Sequence, residues 1–306
     1  MIWKILVYSS SVYRFIGYIV VSYYFCWKIM LMKKFIFVCS FISLIFSSCV
    51  SIKHGSHPGV GRIRSYEFVH SEVPDSFDGF RIAFISDLHY KSKFTEQRLS
   101  GLVRTLRKLA PDMLLLGGDY QEGCEFVRPL VEKLALVKPP YGVYGVMGNN
   151  DYERCYQEIL TVMEQHGIHI IEHHTDTVVR GGQRILVAGV RNPFDLKRNG
   201  RSPTLDLSAD DFVILLTHTP DYIEDVAVTN TDLALAGHTH GGQVTLFGFA
   251  PQTASHYGRR FRTGLKKNSE GIPVIVTNGV GTSRRNVRLM APSEVVLITL
   301  RRKYSD

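Results

Sequence analysis

A chain of 306 residues has room for one large domain or two small ones, at about 100–200 residues per domain. Apolar residues make up 45% of the chain and charged residues 21%, which excludes collagen, extended disorder and a polytopic transporter. Residues 1–64 carry eight basic and no acidic side chains, whereas residues 65–255 carry seventeen basic and twenty-five acidic ones. Because the middle of the chain is acidic, we expect no nucleic-acid partner.

Residues 1–52 contain two apolar stretches of eighteen residues each, at 15–32, interrupted only by Lys28, and at 35–52. Either stretch is long enough for a marginal membrane span, so we expect residues 1–50 to attach the protein to a membrane. A second interpretation starts translation near Met32. A basic pair, an apolar run and small residues before Cys49 then resemble a lipoprotein signal.

The orientation of such an anchor stays open. The lysines between the two stretches favour a cytoplasmic loop and export of the downstream domain, whereas Lys53, Arg62 and Arg64 favour a cytoplasmic position for that domain.

Residues 51–64 are predicted to be a linker that contains Gly and Pro, and residues 65–306 to be the catalytic domain. The first half of this domain alternates apolar runs with amphipathic stretches, and the second half is rich in strands. Strands are predicted within 66–74, 80–86, 111–120, 141–151, 168–173, 176–190, 212–218, 232–238, 242–248, 272–280 and 294–300. Helices are predicted at 95–109, 125–137 and 152–166 and after Pro220. This order favours an α/β fold in which two mixed sheets stack between helices.

Polar residues that can bind metals come directly after five of the apolar runs. These residues are Asp87, His89, Asp119, Asn149, Asn150, Asp151, His218, His238 and His240. Strand ends are where sites assemble in layered α/β folds, so we expect these side chains to meet. Aspartate, histidine and asparagine without cysteine suit Mn, Fe, Zn or Co, and two such ions about 3.5–4 Å apart are suited to displacement at phosphorus.

The order of these motifs resembles the calcineurin-like metallophosphoesterases. The motifs are Asp-Leu-His (87–89), Gly-Gly-Asp (117–119), Gly-Asn-Asn-Asp (148–151), Thr-His (217–218) and Gly-His-Thr-His (237–240). The resemblance implies a four-layer α-β-β-α sandwich of two mixed sheets and two divalent metal ions, with manganese the first choice. It also implies that Asp119 bridges the two ions. The first ion would be held by Asp87, His89, Asp119 and His240, and the second by Asp119, Asn149, His218 and His238.

One position departs from the family pattern. Many members have histidine after the motif asparagine, where it contacts the reacting phosphate, whereas this chain has Asn150. Asn150 and His218 are therefore the residues we expect to act in catalysis. Because an amide cannot serve as an acid near neutral pH, the leaving group should need little protonation. The alternative is that the change at position 150 leaves the chemistry unaltered.

The departure and the N-terminal stretch resemble the membrane-attached branch that includes UDP-2,3-diacylglucosamine pyrophosphatase of lipid A synthesis. The resemblance implies a lipid-linked nucleotide substrate and a site on the cytoplasmic face of a bacterial inner membrane. An exported or lipidated phosphodiesterase or phosphatase of the same fold is one alternative. A non-catalytic phospholipid-binding protein is another. The oligomeric state is not determined by the sequence.

We also make predictions for three further sets of residues. Cys124 and Cys155 are expected to be free thiols, because sparse cysteines without CxxC spacing indicate neither a disulfide framework nor a zinc site. Phe247, Phe249 and Tyr257 are either packing residues or the border of an acyl-chain groove. The C-terminal basic residues either contact a phosphate or anionic lipid headgroups, or form a solvated face.

Overall fold

The computed structural model describes Met32 and residues 59–91 and 94–304. Contacts divide the chain into two units, Met1–Lys53 and His54–Asp306, and the second contains the fold. Apart from Met32, the expected membrane or signal segment lies outside the described residues. Within the part of the chain that is described, no helix is both long and apolar enough to cross a bilayer.

Twelve strands of the described residues form two six-stranded sheets. The strands are β1 (Arg62–His70), β2 (Arg81–Ile85), β3 (Met113–Leu116), β4 (Val143–Gly145), β5 (Ile168–Ile170), β6 (Thr175–Arg180), β7 (Gln183–Gly189), β8 (Val213–Leu216), β9 (Leu233–Ala236), β10 (Gly264–Lys267), β11 (Pro273–Val276) and β12 (Glu294–Arg302). The first sheet has the order β1-β12-β2-β3-β4-β5 and the second β10-β11-β9-β8-β7-β6.

Both sheets are mixed, as the sequence predicts. In the first sheet β2 to β5 run parallel and β12 is antiparallel to β2. In the second sheet β7, β8, β9 and β11 run parallel, with antiparallel edge strands β6 and β10. The central strands β2, β3, β8 and β9 are apolar apart from Arg81 at the start of β2, as expected for strands that are covered on both faces.

Helices cover the first sheet. The helices of the described residues are α1 (Glu96–Leu109), α2 (Val127–Leu134), α3 (Asn149–Glu153), α4 (Tyr156–Gln165), α5 (Leu196–Asn199) and α6 (Tyr222–Asp225). Helix α1 begins where the Thr95 side chain accepts a hydrogen bond from the Arg98 amide, and it buries Leu99, Leu102 and Leu106 against the sheet. A second apolar core fills the space between the two sheets.

The outer layer on the second sheet is thinner than expected. The helix predicted after Pro220 is the single turn α6, and its Tyr222 and Ile223 join Phe261 from a nearby turn in covering the sheet. The structure forms β10, which the sequence analysis missed, because only pairing with β11 defines these four residues as a strand.

Three expected boundaries also differ. Strand β1 begins at Arg62, four residues before the strand expected within 66–74, because β12 pairs with it from that residue. The helix expected over 152–166 is two helices, α3 and α4, separated by Cys155 at a left-handed φ of 68°. The strand predicted at 242–248 does not form; the chain reverses there instead.

Cys124 and Cys155 form a disulfide, so the expectation of free thiols is wrong for this pair. Their Cα atoms lie 5.3 Å apart although 31 residues separate them in sequence. Cys124 lies after the loop that leaves β3, and Cys155 immediately precedes α4. Sequence spacing could not reveal the pair, because only the parallel pairing of β3 with β4 brings the two loops together.

Removing this disulfide should destabilise the domain. For the double variant Cys124→Ser/Cys155→Ser, closure of a loop of this length predicts a loss of ~3–4 kcal/mol. That loss corresponds to a fall in Tm of about 5–10 °C, measured by thermal unfolding of the full chain in detergent. A reducing agent should lower the Tm of the unaltered chain by a similar amount and leave that of the variant unchanged. An unaltered Tm in both experiments would contradict the prediction.

Candidate metal centre

The expected metal ligands leave the ends of strands that lie side by side. Asp87 comes two residues after β2, and Asp119 comes three residues after its parallel neighbour β3. His218 and His238 each come two residues after the neighbouring parallel strands β8 and β9 of the second sheet. Because carboxyl ends of parallel strands meet at one edge, the two sheets present these side chains to each other.

The backbone at these positions is strained. Five expected ligands have a left-handed φ: Asp87 (55°), His89 (44°), Asp119 (56°), His238 (68°) and His240 (51°). Each such residue costs of order 1–3 kcal/mol and persists only where the surroundings fix it. Hydrogen bonds between the loops do so here: the Asp87 amide donates to the Gly118 carbonyl (2.9 Å) and the His89 amide to the Asp119 carbonyl (3.1 Å).

Two glycines allow the loops to approach one another. A Cβ atom at Gly148 would collide with the Asp119 carboxylate, and one at Gly237 would collide with the Ser86 hydroxyl and the Asp87 carboxylate. Any other residue would push the loops apart, so these two positions require glycine.

Six side chains form two groups of ligand size. Asp87, His89 and His240 form the first metal group, and one ligand atom from each lies within 4.8 Å of the others. The Nε2 atoms of His89 and His240 are 3.2 Å apart, and His240 Nε2 lies 3.4 Å from Asp87 Oδ1. These nitrogens and oxygens point at one another, as ligands of a shared ion do.

Asp119, His218 and His238 form the second metal group, with the same spacing. His238 Nδ1 lies 3.2 Å from His218 Nε2. Asp119 connects the groups, because its Oδ2 lies 3.5 Å from the Nε2 atoms of both His89 and His218. This carboxylate therefore has the position of a bridging ligand.

Asn149 adds an independent observation. Its Oδ1 atom is buried and has no hydrogen-bond partner among the described residues. A buried carbonyl oxygen without a partner is costly unless a cation or water satisfies it. The unpaired oxygen, the two carboxylates and the four imidazoles match the oxygen and nitrogen donors of a site for two divalent ions.

Electrostatics prepare the imidazoles for metal binding. Burial and the neighbouring His218 charge lower the pKa of His238 to about 3. Burial and the His89 charge hold the pKa of His240 well below its usual range. Both rings are therefore neutral near pH 7, which is the form that binds metal.

Asp119 and His218 behave as a buried ion pair. Burial opposes the charged form of each, yet the attraction of Asp119 raises the pKa of His218 to about 9. The same attraction, with the charge of His89, holds the pKa of Asp119 well below its usual range. An ion that binds His218 must replace its proton, so metal binding strengthens as the pH rises toward that value.

Asp151 is the last residue of the Gly-Asn-Asn-Asp motif, and the sequence analysis assigned it no role. In the structure it supports the ligand loops. Its carboxylate accepts hydrogen bonds from the amides of Asp119 (2.7 Å), Tyr120 (3.0 Å) and Gly148 (2.8 Å) and so joins the two ligand loops. Burial, followed by the charge of Asp119, raises the pKa of Asp151 to about 7.

Glu122 supports the first metal group. Its Oε1 lies 2.6 Å from His89 Nδ1, an arrangement that leaves Nε2 of that ring directed at the site. The Asn150 amide nitrogen lies 3.2 Å from the same Nδ1 atom. The sequence analysis did not identify Glu122; its position three residues after Asp119 was the only feature that could have indicated its role.

Arg288 and Phe194 border the two groups. The partly buried Arg288 guanidinium donates to backbone carbonyls, including those of His240 (3.2 Å) and Gly281 (2.6 Å), so it supports the loops. Phe194 is half-exposed and its ring lies 5.1 Å from that of His238 and 6.1 Å from that of His218. It forms one wall of the second metal group.

Comparisons with known proteins agree with this geometry. The calcineurin-like phosphoesterase family matches residues 80–242, more than half of the chain, and the protein belongs to that family. A protein of Aquifex aeolicus named as an uncharacterized metallophosphoesterase is 29% identical over 250 residues, covering 79% of this chain and 92% of its own. A metallophosphoesterase of Bacillus subtilis, also named uncharacterized, is 29% identical over 244 residues, covering 76% and 82%.

Among solved structures, a 5'-nucleotidase precursor from Thermus thermophilus aligns with a TM-score of 0.44 and 15% identity, over 72% of this chain and 54% of its own. Family membership and the two metal groups make the protein a metal-dependent phosphoester hydrolase. They leave no support for the non-catalytic lipid-binding alternative.

Replacing the bridging carboxylate should weaken metal binding in both groups. In Asp119→Ala we expect bound metal to fall below half of the amount in the unaltered chain, because both groups lose a ligand. Metal content after purification with added Mn²⁺, measured by plasma mass spectrometry, checks this. Asp232→Asn is the matched control, since Asp232 is a half-buried aspartate that accepts a backbone hydrogen bond away from the site. Equal metal in Asp119→Ala and the control would refute the bridging position.

Proposed function

We propose that the protein hydrolyses the pyrophosphate of a lipid-linked nucleotide, UDP-2,3-diacylglucosamine, to UMP and 2,3-diacylglucosamine 1-phosphate. The observation behind this proposal is Asn150. It lies beside His89 in an otherwise complete set of ligands, where it offers a hydrogen bond but no proton.

The leaving group decides which substrates suit such a site. Water adds to one phosphorus of the pyrophosphate, the bond from that phosphorus to the bridging oxygen breaks, and the departing phosphate keeps the electron pair. A phosphate is a weak base near neutral pH and departs without a proton, whereas a simple alkoxide needs one. Pyrophosphates therefore fit this site better than alkyl monoesters.

The residues of the chain have separable roles in this reaction. Two divalent ions held by the groups would activate water and offset negative charge on the phosphoryl oxygens. Asp119 and the imidazoles would determine the positions of the ions and therefore of the phosphoryl oxygens. Asp151 holds Asp119 in place, and Glu122 holds His89 in place. The side-chain nitrogen of Asn150 lies 3.2 Å from His89 Nδ1, and its N–H groups can orient a phosphoryl oxygen there.

A hydrolysis assay separates this proposal from a general phosphodiesterase. Full-length protein in detergent with Mn²⁺ should release UMP from UDP-2,3-diacylglucosamine faster than it cleaves bis-p-nitrophenyl phosphate. Asp119→Ala should lose at least 100-fold in both reactions, because it lacks the bridging ligand. Diester cleavage without UMP release would exclude the lipid-linked nucleotide.

The role of position 150 has a test of its own. Asn150→His supplies a titratable acid, so we expect kcat/KM for glycerol 2-phosphate to rise at least about 10-fold relative to bis-p-nitrophenyl phosphate. Asn150→Ala is the control and should show no such rise. A ratio that stays constant in Asn150→His would mean that the leaving group does not depend on this residue.

The disulfide favours a second candidate, an exported phosphodiesterase. Disulfides persist in oxidising compartments and are rare in the cytosol, and the Cys124–Cys155 bond lies between the two loops that carry Asp119 and Asn149. A site outside the cytoplasm would not meet UDP-linked precursors. Diester cleavage without UMP release is the outcome expected for this candidate.

A further inference from the structure

Six large apolar side chains are exposed together beside the metal centre. We call them the apolar ridge: Val244, Leu246, Phe247, Phe249, Val287 and Met290. They belong to two segments joined by backbone hydrogen bonds, from the Thr245 amide to the Leu289 carbonyl and from the Leu289 amide to the Gln243 carbonyl, both 2.9 Å. Large apolar side chains that are exposed on two hydrogen-bonded segments indicate an interaction surface.

The first segment reverses the pattern of a soluble protein. Val244 and Leu246 face outward, whereas Thr245 between them is buried and donates to the Leu289 carbonyl (3.3 Å). A strand at a water-covered surface buries its apolar residues and exposes its polar ones. The reversed alternation indicates that the outward face meets an apolar environment.

Phe247, in the turn between Leu246 and Phe249, also indicates that the outward face meets an apolar environment. The chain turns between Leu246 and Phe249 through two left-handed residues, Phe247 (φ 46°) and Gly248 (φ 85°). This turn type favours asparagine or glycine at both positions, and a bulky residue there is strained. Phe247 is nevertheless 85% exposed, so its ring gains nothing from the fold that offsets the strain.

The apolar ridge is fixed to the metal loops. It begins four residues after His240, and the Gln243 side chain donates to the carbonyls of Ser283 (3.1 Å) and Arg285 (3.0 Å). Arg288 joins the second segment to the His240 carbonyl. These contacts fix the position of the metal centre relative to the apolar ridge. They therefore also fix the distance between the metal centre and any surface that the ridge contacts.

The charge around the apolar ridge is positive. Residues 241–258 and 281–293, which include both segments of the ridge, contain three arginines and no acidic residue. Arg284 and Arg285 are exposed on the loop that leads to Val287. Apolar side chains flanked by arginines are typical of surfaces that insert at the boundary between headgroups and acyl chains of an anionic bilayer.

We propose that the apolar ridge and its flanking arginines dock the catalytic domain on an anionic lipid bilayer and hold the metal centre at the headgroup level. The two apolar stretches in residues 1–52 favour a bilayer over a protein partner, because they already suit this chain to a membrane. The consequence, that the substrate is a phosphoester or pyrophosphate of a membrane lipid, rests on the proposed function. Membrane docking itself does not.

Depth-dependent quenching tests the docking. Trp3 and Trp27 are the two tryptophans of the chain. Both are replaced by phenylalanine, and a single reporter, Phe247→Trp, is introduced into the full-length protein in vesicles that contain phosphatidylglycerol with brominated acyl chains. We expect at least half of the reporter fluorescence to be quenched, and less in vesicles of phosphatidylcholine alone. Met290→Trp is a second reporter in case the first variant folds poorly.

Val179→Trp is the matched control. Val179 is 58% exposed on edge strand β6, where it pairs with Arg184 at the start of β7, away from the metal loops. It should not be quenched. Equal quenching at both positions would overturn the proposal. So would a blue-shifted but unquenched Phe247→Trp, which would place a second copy of the chain or its own N-terminal segment on the ridge.

Release of UMP from UDP-2,3-diacylglucosamine by the unaltered chain is measured in parallel. Quenching without hydrolysis would leave the docking surface in place and refute the proposed function. Hydrolysis without quenching would refute the docking surface and leave the proposed function in place.

Discussion

The carboxylate of Asp119 is the constraint on which the site depends. It is buried between two sets of imidazoles, 3.5 Å from a nitrogen of each, and its charge stabilises a protonated His218. An uncompensated charge in this position would be costly, so the arrangement requires either this ion pair or bound cations. The hydrogen bonds from the Asp119 and Gly148 amides to Asp151 hold the loop that makes this possible.

The two stacked sheets explain how residues 151 positions apart come into contact. His89 leaves the first sheet and His240 the second, yet their Nε2 atoms lie 3.2 Å apart. The apolar core between the sheets sets the distance between the strand ends, and the glycines allow the last approach. Left-handed backbone at the ligand loops is therefore stabilised by the packing of the whole domain rather than by local preference.

Three features connect the metal centre to its surroundings. The disulfide joins the loops of Asp119 and Asn149, and Arg288 joins His240 to the C-terminal loop. The apolar ridge extends from that same loop. The disulfide and the apolar ridge are therefore both linked to the metal ligands through short, defined contacts.

The sequence by itself determined the order of the central strands along the chain and the residues that meet at their ends. Uniformly apolar runs such as 213–216 and 233–236 are stable in a layered α/β domain as buried central strands. A histidine that comes after such a run therefore lies beyond the end of the sheet. The motif order also determined the family. Asn150 was visible as a departure without any coordinates.

Only the tertiary structure decided how distant segments pair. Strand β10, the Cys124–Cys155 bond and the contact of Glu122 with His89 depend on neighbours that local sequence does not specify. The run at 242–248 alternates like a half-buried strand, but its apolar face is exposed because no sheet covers it. A periodic pattern states which residues share a face, and only the packed fold decides what that face meets.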